Sequence, residues 1–316
     1  MKAMVLTADN QFVSSEVAQP RPAAGEVAIR VVYAGLQWGD VLVFKGHFPV
    51  PRPFVPGFEA AGWIISVGQG VDPQRVGQTV TALTSRGAFA EVVSASSLLT
   101  FDVGDLPLSS AAAFGWGGPT AYDLVHSVGR VRPGDRVLIH AAAGGVGILA
   151  AQFARQAGAS RIVGVLRDPA RLPSLERFGY ARLVGRESFA TELEGEQFDV
   201  ILDPIGGATR TANSTLLAPH GRLAVYGNIA TFESVLVSVN DLLMMGKSLL
   251  TYNSHLLSTT HPERLAESAR LALAQIVRGE VTPYVGAEFE LEQLASAVEQ
   301  LVEGRSFGKS VVRVST

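Results

Sequence analysis

The chain has no cysteine among its 316 residues. That excludes disulfides and every thiolate metal site. Charge is also scarce: 17% of residues are charged and the net charge is −3, with an isoelectric point near 6.1. Such a balance makes no electrostatic case for nucleic acid or an anionic membrane as the main partner. No window approaches 18 uninterrupted apolar residues, so no membrane span is expected. The first residues, Met1 to Thr7, are soon interrupted by Asp9, Asn10 and Gln11 and lack a signal-peptide core. Internal repeats and low-complexity segments are absent. What the chain does have is 47% hydrophobic residues, enough for well-filled cores, and a length suited to two domains. A cytoplasmic location is expected.

One stretch organises the rest. An apolar run at 136–140 is followed by the Gly-rich turn Ala141-Ala142-Ala143-Gly144-Gly145-Val146-Gly147, then by helix formers up to Ala157-Gly158. This reads as strand, tight turn, helix. Glycines let the backbone approach a pyrophosphate, which then rests on the helix N-terminus. The first glycine of the usual dinucleotide fingerprint is Ala142 here. A second apolar strand at 161–166 follows about 20 residues later, where a ribose-reading residue belongs.

Around this stretch the patterning changes twice. Residues 1 to about 100 hold short apolar or alternating runs at 3–7, 26–34, 60–67, 79–83 and 88–93, bounded by Pro and Gly clusters. They predict a partly closed antiparallel barrel. An Ala-rich helix is expected after Asp105-Leu106-Pro107, and a second helical pattern at 120–125. From about 130 to 250, strand candidates at 136–140, 161–166, 181–184, 198–202 and 222–226 alternate with helices, which predicts a doubly wound parallel sheet. A long amphipathic helix to about 279, a strand at 284–289, a helix at 291–303 and a strand at 307–314 close the chain.

The 141–147 run resembles the signature of quinone oxidoreductases, zinc-independent members of the medium-chain dehydrogenase/reductase superfamily. Gly87-Ala88-Phe89-Ala90-Glu91 is similar to a segment of that superfamily's catalytic domain, and Asp203-Pro204-Ile205-Gly206-Gly207 to a family strand end. The resemblance implies an α/β protein. A GroES-like barrel domain would take residues 1–117 and 253–316, a Rossmann domain 118–252, and the active site the cleft between them. It implies cofactor contacts at Thr120, Ala143, Gly144, Gly145, Val146, Gly147, Gly227 and Asn228.

The zinc enzymes of the superfamily carry Gly-Ile-Cys-x-x-Asp and Gly-His-Glu. Here the matching stretches are Gly35-Leu36-Gln37-Trp38-Gly39-Asp40 and Gly57-Phe58-Glu59, so two ligand positions hold Gln37 and Phe58. No catalytic metal is expected. Asp40 and Glu59 read as a buried hydrogen-bonding pair. Hydride addition to an already activated acceptor, a quinone or an α,β-unsaturated carbonyl, then needs hydrogen-bond donors for the developing oxyanion. Candidates are Gln37, Tyr252 and Asn253. Trp38, Phe44, Phe48, Phe54 and Trp116 are candidate pocket residues, with core packing the alternative for each. Phe48 stands where relatives carry a Tyr, and His47 is either an acid–base group or an exposed loop histidine. These departures keep open two rival readings, a polyketide-type enoyl or tailoring reductase and a non-catalytic NADPH-binding relative.

Cofactor choice turns on the end of the second strand. Leu166 replaces the acid that reads a 2′-OH, while Arg167, Arg171 and Arg186 supply cations suited to a 2′-phosphate. Asp168 is the dissenting residue. The residues predict NADPH. The apolar stretch 235–245 predicts a homodimer through an exposed sheet edge.

Overall fold

The structure, a computed structural model, describes residues 1–169 and 175–315. Met1–Gly118 and His261–Thr316 make one unit, and Pro119–Thr260 the other.

The first unit begins with β1 (Lys2–Leu6) and β2 (Phe12–Glu16), paired antiparallel. Next come β3 (Glu26–Leu36), α1 (Trp38–Phe44), β4 (Glu59–Val67), β5 (Thr79–Leu83), β6 (Val92–Ser96), β7 (Thr100–Asp102) and α2 (Leu108–Phe114). α3 (Gly117–Asp123) carries the chain into the second unit. There the order is β8 (Arg136–His140), α4 (Gly145–Gln156), β9 (Arg161–Leu166), β10 (Arg182–Gly185), α5 (Phe189–Glu192), β11 (Phe198–Asp203), α6 (Gly207–Leu216), β12 (Leu217–Val225), α7 (Val239–Met245), β13 (Ser248–Thr251) and α8 (Ser254–Thr260). The chain returns to the first unit with α9 (Pro262–Val277), β14 (Val285–Glu290), α10 (Leu294–Val302) and β15 (Lys309–Arg313).

In the first unit β3 is the organising strand. One edge pairs with β4, and the other is shared between β6 at its start and β15 at its end. Register shifts at Ala28/Ile29 and Val31/Tyr33 bend and twist the ladder, as bulges do. The curved sheet runs β14-β15-β3-β4-β5-β7. It encloses a core that includes Val27, Ile29, Val31, Ile64, Val80 and Phe89.

The second unit is a six-stranded sheet in the order β10-β9-β8-β11-β12-β13, with every pair parallel. Its central strands are continuous apolar runs because helices cover both faces of such sheets. The strand order reverses between β8 and β11, the topological switch point at which open α/β sheets bind ligands. The strand expected at 181–184 lies one residue later, at Arg182–Gly185. The last strand, β13, was not foreseen; its short alternating pattern of half-buried and exposed residues carries little signal. Among the described residues no helix is long and apolar enough to cross a membrane.

The Gly-rich turn joins β8 to α4 under tight steric control. Ala141 takes a left-handed φ of 52°, and its carbonyl accepts the Gly144 N–H at 2.9 Å. A Cβ at Gly147 would stand 2.5 Å from the Ala141 carbonyl oxygen, so only glycine lets α4 come this close to the strand end. Tyr180, buried, holds the junction from below. Its hydroxyl lies 2.8 Å from the Gly147 carbonyl and 3.1 Å from that of Ala142. Tyr180→Phe therefore removes the one hydroxyl proton that these two carbonyls share, at a cost of about 1–2 kcal/mol. Hydrogen exchange over residues 141–156 should quicken by roughly 5- to 30-fold. All three tryptophans, Trp38, Trp63 and Trp116, lie in the first unit, so their fluorescence should stay unchanged.

Candidate functional site

In the second unit the candidate site is built on the C-terminal ends of the parallel strands. Gly144 is the N-cap of α4 and no side chain caps that helix. Helix geometry leaves the first-turn N–H groups of Gly145, Val146 and Gly147 without intrahelical acceptors. Ala143 to Val146 are half-buried, Gly147 is buried, and the twelve-residue helix behind them adds its dipole. This arrangement fits a pyrophosphate. Thr120, on α3, is buried.

At the end of β9, Arg167 is exposed. Arg186 is anchored beside it by its backbone N–H, which donates to the Leu166 carbonyl at 2.8 Å. The Arg186 guanidinium pairs with Glu187 at 3.2 Å. Arg171 lies outside the described residues. Gly227 and Asn228 follow β12 and are held by Arg210, which belongs to no motif visible in the sequence. Its Nη2 donates to the Gly227 carbonyl at 2.8 Å and its Nη1 to Asn228 Oδ1 at 3.1 Å.

Two candidate donors at the end of this unit have local partners. The Tyr252 hydroxyl donates to Asp123 Oδ2 at 2.7 Å. Asn253 accepts the Leu256 N–H at 3.0 Å through Oδ1 and so caps α8. His140, at the end of β8, is fully buried; desolvation lowers its pKa, although Asp203 and Asn213 act to raise it. His126 packs against Tyr122 and Phe153, and burial lowers its pKa too.

In the first unit the candidate chemistry gathers at the start of α1. Gln37 is the N-cap residue, and its backbone N–H donates to Asp40 Oδ2 at 3.0 Å. Asp40 Oδ1 accepts the Gly57 N–H at 3.2 Å, so this one carboxylate ties the Gln37 turn to the loop before β4. The side-chain nitrogens of Gln37 and Trp38 are both buried, with no hydrogen-bond partner among the described residues. A buried donor without a partner calls for an explanation, and a bound acceptor is one. The Trp38 ring packs on the barrel core with the Lys45 ammonium 5.9 Å from its centroid.

The other aromatic candidates scatter. Phe48 is 39% exposed on the loop after α1. Phe54 is buried and bridges Leu6 through two backbone hydrogen bonds. Phe44 stacks on Phe12. Trp116 is buried, with its indole N–H donating to the Phe58 carbonyl at 2.6 Å and its backbone N–H to Glu59 Oε2 at 2.6 Å.

Asp40 and Glu59 are both buried, and Lys309 of β15 forms an ion pair with Glu59. Lys309 carries no signal in the sequence, because it lies at the far end of the chain from its partner. Burial pushes the Asp40 carboxyl up to about 7; the Gln37 N–H opposes that rise, the Glu59 charge adds to it and Lys309 works against it. Among the described residues no group of three or more His, Asp or Glu side chains could hold a metal ion.

With this geometry established, comparison with known proteins gives a consistent answer. Residues 23–105 match the family described as alcohol dehydrogenase GroES-like domain, and residues 145–273 that described as zinc-binding dehydrogenase. The human synaptic vesicle membrane protein VAT-1 homolog is 27% identical over 94% of this chain and 81% of its own length. A phenolphthiocerol/phthiocerol polyketide synthase of Mycobacterium tuberculosis is 30% identical over 95% of this chain, which spans 14% of that protein. Among solved structures, mycobacterial Rv1454c complexed with NADPH superposes with a TM-score of 0.90 at 27% identity, covering 99% of both chains. A mycobacterial quinone oxidoreductase superposes at 0.86 and 27%, again covering 99% of both.

A curved β unit joined in one chain to a parallel sheet with a Gly-rich first turn defines an oxidoreductase of the medium-chain dehydrogenase/reductase class. Within that class, the chain belongs to the zinc-independent, quinone oxidoreductase-like family.

The raised Asp40 pKa has a sign that can be tested. In the unfolded chain this carboxyl ionises near 4; in the fold it holds its proton to about pH 7. Its contribution to stability is therefore full at low pH and falls as pH rises from about 4 to 7. Asp40→Asn should flatten the decline in Tm between pH 5 and 8, with Glu59 and Lys309, the neighbouring charges, unchanged. A thermal melt series at several pH values checks this.

Proposed function

We propose that this chain is an NADPH-dependent reductase that delivers hydride to a quinone or an α,β-unsaturated carbonyl. The observation that carries the reading is the buried Gln37 amide nitrogen with no partner among the described residues, at a position where zinc relatives carry a ligand. Its role is to donate a hydrogen bond to the acceptor oxygen as negative charge develops there. Asp40 holds the Gln37 backbone, so the amide starts from a fixed turn.

When bound, NADPH supplies the hydride. The residues of the second unit supply its binding: the α4 N-terminus takes the pyrophosphate, Gly227 and Asn228 line the next strand end, and Arg167 and Arg186 attract the 2′-phosphate. The NADPH complex of mycobacterial Rv1454c supports this choice, and the quinone oxidoreductase neighbour supports the acceptor class. A second reading, an enoyl reductase acting on a polyketide-like chain, is favoured by the 30% identity to a stretch of a polyketide synthase. A cytoplasmic location is part of the same proposal.

The active form we propose is a homodimer. Among the described residues β13 ends the parallel sheet, with β12 as its one partner strand. Leu236, Val239, Leu243 and Met244 nearby are each at least 74% exposed. Such an apolar surface beside an open edge is an interaction site by its nature, and a second copy of the same edge covers it symmetrically.

Two measurements test these statements. Steady-state kinetics with a panel of quinones, enones and enoyl thioesters should show a higher kcat/KM with NADPH than with NADH. In the same assay Gln37→Ala should lower kcat by roughly 100- to 1000-fold and leave KM for NADPH near the parent value. Equal use of NADH, or an unchanged kcat, would falsify the corresponding part. Light scattering at micromolar concentration should give twice the mass of the chain, and Leu243→Glu with Met244→Glu should give a monomer.

A further inference from the structure

α6 carries two polar side chains one turn apart, Arg210 and Asn213, and positions three residues apart share a helix face. Arg210 reaches two strand ends. Its Nε donates to Asp203 Oδ2 at 3.0 Å, and its terminal nitrogens donate to the Gly227 carbonyl and to Asn228 Oδ1. Asp203 ends β11 and is fully buried; its other oxygen accepts the N–H groups of Ile205 at 2.7 Å and Gly206 at 3.2 Å. Asn213 reaches the third strand end. Fully buried, it meets His140 Nε2 through Oδ1 at 2.7 Å, while Phe189 fixes the imidazole edge-on.

His140 is the last residue of β8 and leads directly into the Gly-rich turn. One helix face thus grips the ends of β8, β11 and β12, three neighbours in the sheet. The loops after β11 and β12 are also zipped to each other, with Tyr226, Ile229 and Ala230 donating backbone N–H groups to the carbonyls of Asp203, Pro204 and Ile205.

We infer that Arg210 is a positioning residue for the nicotinamide nucleotide. It fixes Gly227 and Asn228 against Asp203, and Asn213 secures the Gly-rich turn through His140 from the same helix. This inference rests on the NADPH reading above for its ligand, but not for its geometry. Three of the five guanidinium donors are directed at protein acceptors and the side chain is 13% exposed, so Arg210 acts through the loop it holds.

The test uses the full-length protein and two variants. Arg210→Lys keeps a cation beside Asp203 but loses the fork that reaches both loops. Arg210→Gln with Asp203→Asn removes both charges together, so no buried charge is left unpaired. In the nucleotide-free protein, hydrogen exchange at Ile229 and Ala230 should quicken in each variant by about tenfold or more. NADPH titration should show affinity weakened by roughly 10- to 100-fold, while kcat at saturating NADPH stays within about twofold of the parent. Unchanged exchange at these two amides in both variants overturns the clamp. So does a fall in kcat equal to the loss of affinity together with a lowered Tm, the pattern of a structural residue. A flat NADPH titration in the parent itself counts against the functional proposal, and the exchange result then decides the clamp alone.

Discussion

The second unit depends on one close approach, that of α4 to the end of β8. Gly147 has no side chain, and the Ala141 carbonyl occupies the space that one would need. Gly164 in β9 extends the same constraint, since a Cβ there would stand 2.8 Å from the Cβ of Ala142. Only with both positions bare can the helix start directly over the strand end. That placement leaves the first-turn N–H groups without intrahelical acceptors, an arrangement that suits an anion. The left-handed Ala141 carries the associated backbone strain, on the order of 1 kcal/mol, and Tyr180 offsets it by bonding the junction from within the core.

The first unit solves a different problem. Two carboxylates, Asp40 and Glu59, are buried in a barrel where the neighbouring zinc-ligand positions are Gln37 and Phe58. Burying a charge is costly unless it is paired and hydrogen-bonded. Glu59 meets that requirement with the Trp116 N–H and the Lys309 ammonium. Asp40 meets it with the N–H groups of Gln37 and Gly57 and with a raised pKa. The consequence for function is local order: the turn that presents the Gln37 amide is bonded on its backbone side. The side-chain nitrogen, by contrast, has no hydrogen-bond partner among the described residues. A donor held in this way suits the role proposed for it.

The two sites were legible to different degrees. The Gly-rich turn is a local motif: the steric demand of Gly147, the strand before it and the helix after it all lie within one short stretch, so the sequence shows it. The same holds for the βα alternation and for the Pro- and Gly-punctuated barrel strands. Pocket aromatics are harder. Trp38, Phe54 and Trp116 have the composition of a pocket, and in the fold Trp38 packs on the barrel core, Phe54 bridges Leu6 and Trp116 donates to the Phe58 carbonyl. Hydrophobicity alone cannot distinguish a wall from a core, because both bury the same surface.

By itself the sequence determined the class of fold, the dinucleotide turn and the replacement of two zinc ligands, since each is written in adjacent residues. Tertiary structure decided the long-range pairings. Lys309 meets Glu59 only because β15 returns to β3, and Tyr252 meets Asp123 only through the second unit's own packing. Arg210 reaches Gly227 only because β12 lies beside β11 with its end level with Asp203. These partners are distant along the chain, and side-chain polarity carries no address. Which charged or polar group finds which is settled by the register of the sheets.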